Sequence, residues 1–118
     1  MDKFMLIFHS PFSQEQNFMD QSPEAMQAEM EKWNKWIGGI AAQGKLLGTE
    51  ALMPMGKLMT KGGQLVTDGP YTEGKEIIGG YMLLNVASIE EATELAQGCP
   101  LFESEGSSVE VRPIVNFG

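Results

Sequence analysis

The chain has 118 residues, of which 42% are apolar and 20% charged, with 8 Lys and Arg against 16 Asp and Glu for a formal net charge of −8. That length fits one domain, residues 1–118, built around one core and leaves no room for two. Phosphate binding needs clustered Lys and Arg, so 8 scattered basic residues on an acidic chain argue against nucleic acid or an anionic membrane surface as partner.

"KFMLIFH" (3–9) is a short apolar and aromatic run before Pro11 and predicts a first strand. It is too short for a leader's apolar region or a membrane span, so a soluble cytoplasmic protein is expected. Residues 10–21 lack a period and predict a loop anchored by Phe12, Phe18 and Met19. Ser22 then offers an N-cap, Pro23 suits the first helical position, and Glu24 complements the positive end of the helix dipole. Met26, Met30, Trp33, Ile37 and Ile40 follow at helical spacing, giving one apolar stripe that Gly44 stops.

"KLLGTEALM" (45–53) predicts a second strand ended by Pro54. "KLMT" and "QLVT" flank Gly62 and Gly63, which predicts a hairpin closed by a primed two-residue turn, with Asp68 just beyond its second strand. "GGYMLLNV" (79–86) reads as a fifth strand, and "SIEEATELAQG" as a helix opened by a capping box from Ser88 to Glu91, with Ile89, Ala92, Leu95 and Ala96 inward. "SSVEVRPIV" closes the series as a strand.

This order predicts an α+β fold: a ferredoxin-like split βαβ arrangement with an inserted β-hairpin, an antiparallel sheet and two helices on one face. In the first strand both parities are apolar, Phe4, Leu6 and Phe8 against Met5 and Ile7, and the fifth strand behaves alike. A sheet apolar on both sides must be covered on both, and two helices cover one. A homodimer whose sheets face each other is the expected solution.

The stretch "TDGPYTEGKEIIGGYMLLNVASIEEATELAQGCP" with the later "GSSVEVRP" resembles the YCII-related family in its DGPF-motif branch, with Tyr71 standing where that branch usually has Phe. The resemblance covers nearly the whole chain. It implies a small bacterial protein assembling as a dimeric α/β barrel, a group that includes cofactor-free oxygenases, isomerases and lyase-like enzymes acting on small organic molecules. A fold shared by so many reactions does not select one.

The residues with chemistry to offer are few. His9, the single histidine, is the residue type suited to proton transfer near neutrality and is the first candidate base; the wider YCII-related group is associated with a His-Asp pair. Asp68 is the second candidate, reading either as a carboxylate at the cleft mouth or as a turn former bonded to its own backbone. Glu73, Tyr71 and Tyr81 are candidate substrate contacts. Glu110 and Arg112 share one face of the last strand, where Arg112 suits a carboxylate or enolate and pairs equally well with Glu110. The single cysteine, Cys99, predicts an inert buried thiol. No usual metal-ligand spacing, phosphate loop or dinucleotide motif appears, so neither metal nor cofactor is expected. Two functions fit: a cofactor-independent enzyme doing proton-transfer chemistry, elimination or isomerisation, in a pocket at the dimer cleft, or a non-catalytic ligand-binding or regulatory dimer.

Overall fold

The computed structural model describes residues 2–11, 20–69 and 76–117. The sequence-predicted contacts Tyr71 and Glu73 and the anchors Phe12, Phe18 and Met19 lie outside the described residues. The elements are β1 (Asp2–Pro11), α1 (Pro23–Ala42), β2 (Leu46–Ala51), β3 (Gly56–Thr60), β4 (Leu65–Gly69), β5 (Glu76–Val86), α2 (Ile89–Ala96), a 3₁₀ turn (Pro100–Glu103) and β6 (Ser108–Pro113). The fold is α+β: β2-β5-β1-β6 form one antiparallel sheet, and β3 pairs antiparallel with β4 in a separate two-stranded sheet.

Both helices start where their caps predict. Ser22 Oγ accepts from Ala25 N–H at 3.2 Å, with Pro23 in the first turn. Ser88 Oγ accepts from Glu91 N–H at 3.2 Å, while the Glu91 carboxylate accepts from Ala87 N–H at 2.9 Å. The box therefore closes one residue further back than the simplest form of the motif, and Lys45 adds an ion pair to the same carboxylate. Lys45 is the first factor holding Glu91 below the usual carboxylate range, with the Ala87 N–H second.

Alternation along the strands sorts side chains between two faces. Phe4, Leu6 and Phe8 of β1 and Met82, Leu84 and Val86 of β5 are buried and join Ile40 of α1 and Ala92 and Ala96 of α2 in one core cluster. Fully burying a side chain such as Leu6 or Leu84 contributes about 1.5–3 kcal/mol. Phe8, Trp33 and Trp36 meet edge to face, with ring centroids 5.3 to 6.1 Å apart. Trp36 Nε1 donates to the Leu95 carbonyl at 3.0 Å, tying α1 to α2. The expected inward position of Ile89 is not realised: at the first turn of α2 it is 40% exposed, and Ala92 and Ala96 make the contact.

The opposite face carries the odd residues of β1 and of β5 beyond Gly80, and the even residues of β2 and β6 paired with them. One row runs Glu50, Tyr81, Ile7, Glu110 across β2, β5, β1 and β6, and the next runs Gly48, Leu83, Met5, Arg112. A bulge at Gly79 restores the alternation beyond it, so that His9 pairs with Ile78 on this face and Ser10 with Ile77 on the core face. Gly80 is needed for close approach, because a Cβ there would lie 2.7 Å from the Glu50 carbonyl oxygen.

The hairpin departs from expectation at its turn. Thr60 pairs with Leu65, so residues 61–64 form a four-residue loop, with Lys61, Gly62 and Gly63 all at positive φ (54°, 67° and 88°). The third positive-φ residue, a lysine, was not legible from the Gly-Gly pair. Asp68 also falls inside β4, opposite Lys57, rather than beyond the strand.

Candidate functional site

On the open face, two strands that are adjacent in the sheet and distant in sequence assemble a polar group. His9 Nε2 lies 2.9 Å from Glu110 Oε1, and Arg112 Nη1 donates to Glu110 Oε2 at 3.1 Å. His9 stands opposite Ser108 and Ile7 opposite Glu110, so the His9 contact crosses the β1–β6 pair diagonally. Glu110 and Arg112 are two apart on β6 and share the face by alternation. Glu110 is held below the usual carboxylate range, first by its hydrogen bond with His9 and second by that from Arg112.

Three sequence-predicted candidates, His9, Tyr81 and Arg112, thus lie on one sheet face beside Met5, Ile7 and Leu83. Glu110, weighed in the sequence only as a partner for Arg112, is the residue that links His9 to Arg112. Asp68 has a different place. Its carboxylate is 90% exposed on β4 and bonded to Lys57 Nζ at 2.6 Å. The two candidate acid–base residues, His9 and Asp68, are therefore engaged by different partners on different sheets.

On the core side of the same sheet there is a cavity of about 360 Å³. Phe8, Met30, Trp33, Ile37 and Leu101 give its apolar wall, and Ser10, Asn34, Thr49 and Ser104 its polar positions. Thr49 Oγ1 is already committed to the Tyr81 carbonyl at 2.8 Å, and Glu29 accepts from Trp33 Nε1 at 3.3 Å. Ser10 differs from them: it is 2% exposed, and its Oγ has no hydrogen-bond partner among the described residues. Sequence reasoning missed this cavity, because its walls come from β1, α1, β2, β5 and the 3₁₀ turn and no periodic signal joins them.

Cys99 is buried as its sequence context suggests, and burial pushes its thiol up to about 11. Among the described residues, no group of three or more His, Cys, Asp and Glu is placed to hold a metal ion. No described helix is long and apolar enough to cross a membrane.

The class defined by these features is a small α+β protein with a helix-covered face, an open apolar face carrying a His–Glu–Arg group, and a cavity beneath the first helix. The sequence profile of the YCII-related domain matches residues 5–118, and the chain belongs to that family. It is also similar to a protein of Rhizobium meliloti (strain 1021) described as uncharacterized, at 36% identity over 56 residues. That alignment covers 48% of this chain and 45% of the relative, so the match spans about half of each.

Proposed function

We propose that this protein belongs to the DGPF-motif branch of the YCII-related family and works as a homodimer of ferredoxin-like units, a dimeric α/β barrel closed by the two open sheet faces. The strand order β2-β5-β1-β6 with the hairpin inserted between β2 and β5 supports the unit. Met5, Ile7, Tyr81 and Leu83 on the uncovered face, with Ile78 47% exposed beside them, support the pairing.

In the cleft so formed the protein carries out cofactor-independent proton transfer on a small organic molecule, an isomerisation or elimination. The observation that carries this reading is the 2.9 Å contact between His9 and Glu110, with Arg112 on the same carboxylate. Glu110 orients the imidazole, His9 takes a proton from the activated substrate, and Arg112 steadies the negative charge that develops. Tyr81, one strand from His9 and in the same row as Glu110, offers a wall and a hydroxyl donor. Asp68 is the alternative base in this reading, and Tyr71 and Glu73 belong to it as candidate substrate contacts.

The test is a thermal-shift screen of organic acids, phenols and keto acids on the purified protein, followed by turnover assays of the hits with His9→Ala, Asp68→Asn and Arg112→Ala. Turnover abolished in His9→Ala supports the enzyme. Turnover that survives both His9→Ala and Asp68→Asn removes these residues from the mechanism, and binding without turnover makes the protein a ligand-binding or regulatory dimer.

A further inference from the structure

The cavity on the core side of the sheet has no role in the chemistry proposed for the open face. It is walled by Phe8, Met30, Trp33, Ile37 and Leu101, and its volume of about 360 Å³ falls in the range of small-molecule sites. Ser10 lines it, and its Oγ is buried without a partner among the described residues, whereas buried hydroxyls are ordinarily hydrogen-bonded. Glu29 is the acid on the helix side of the cavity, Glu50 borders it from β2 while belonging to the row of the open face, and no Lys, Arg or His lines it. A carboxylate or phosphate entering this space would meet like charge with no cation to offset it. An ammonium would gain from the same field, and an aromatic ring would find Phe8 and Trp33 edge to face, 5.3 Å apart.

We propose that this cavity is a second binding site, for a small aromatic amine carrying a hydrogen-bonding group: the ring packs against Phe8 and Trp33, the ammonium lies toward Glu29, and the hydroxyl or equivalent satisfies Ser10. Three probes separate these parts. Tyramine has the ring, the ammonium and a phenol; phenethylamine lacks the phenol; 4-hydroxyphenylacetate carries an acid in place of the amine. Affinity is measured by calorimetry, and the place of binding by the indole N–H resonance of Trp33 in ¹H–¹⁵N spectra.

Tyramine binds and shifts the Trp33 resonance, and 4-hydroxyphenylacetate binds about tenfold or more weakly. Glu29→Gln removes most of that difference, and Ser10→Ala removes the advantage of tyramine over phenethylamine. Ala51→Phe, at an exposed position on β2 that lines the cavity, weakens all three probes. The proposal is overturned if the acid binds as tightly as the amine, if Ser10→Ala leaves the tyramine advantage intact, or if no probe moves the Trp33 resonance. The wild-type readings alone suffice if a variant does not fold. They are independent of the open face, so the cavity site and the His9 reading stand or fall separately.

Discussion

His9 and Glu110 are 101 positions apart in sequence and lie 2.9 Å apart in space, joined by the antiparallel pairing of β1 with β6. The contact has a pH consequence with a defined sign. Because the folded Glu110 carboxyl is held below its ordinary value, first by His9 and then by Arg112, the stability it contributes is fully present above the unfolded carboxylate pKa. It is lost as pH falls through the lowered folded value. His9→Ala and Arg112→Ala should each flatten the acid limb of the stability curve, the former more. Acid titration of the melting temperature measures this, and ¹³C titration of the Glu110 carboxyl should show its pKa moving back up in both variants.

Ser10→Ala should stabilise the protein by about 1 kcal/mol, since a buried hydroxyl without a partner costs roughly 1–3 kcal/mol and alanine removes it with little change of volume. For a domain of this size that is an increase of about 4 °C in melting temperature. A loss of stability would mean that the hydroxyl has a partner in the folded chain. A gain in stability accompanied by weaker tyramine binding would fit a group held unsatisfied for a ligand.

Gly80→Ala should destabilise by about 1–3 kcal/mol, because the added Cβ meets backbone, the Glu50 carbonyl oxygen at 2.7 Å and Ala51 Cα at 3.3 Å, and the β2–β5 pair must part to admit it. Gly48→Ala, where no atom beyond the adjacent residues lies within 4 Å of an added Cβ, is the matched control and should be nearly neutral. Chemical denaturation of the two variants gives the comparison directly.

The features legible in the sequence were those written in local chemistry. Ser22 with Pro23, and Ser88 with Glu91, announce their helices because a capping hydroxyl must sit beside the first free N–H groups. The parity of Phe4, Leu6 and Phe8 against Met5 and Ile7 announces two apolar faces. What was not legible depends on pairing. The bulge at Gly79 sets which face His9 and Ser10 take relative to β5, yet in sequence it is one of two adjacent glycines. Lys61 at φ 54° turns a two-residue hairpin into a four-residue one, against the usual preference of a lysine for negative φ. Glu110 becomes the centre of a site only when β6 lies beside β1. The cavity at Ser10 needs five elements in place before it exists.

Cys99 should resist alkylation in the native protein. Its thiol is 3% exposed and pushed from 9.0 up to about 11, so the thiolate is roughly a hundredfold scarcer at pH 8 than in a thiol at the ordinary value, before access is considered. Iodoacetamide labelling followed by mass spectrometry should be slow in buffer and fast in denaturant. Fast native labelling would mean that the turn from Gln97 to Pro100 opens readily.

Leu83→Lys tests the proposed assembly. Leu83 lies between Gly48 and Met5 in a row that ends at Arg112, on the face that the helices leave uncovered. A lysine there keeps the residue on the half-exposed side, where the isolated chain tolerates it because the ammonium reaches water. In a face-to-face dimer the same ammonium would lose its water at the interface, and Glu50, diagonal to it on β2, would offset only part of that cost. The dissociation constant should rise by roughly two orders of magnitude or more, while the melting transition of the dissociated chain stays close to that of wild type. Light scattering coupled to size exclusion over a concentration series reads this out. A wild-type chain that is monomeric throughout, or a variant whose mass stays that of the wild-type dimer, would place the interface elsewhere.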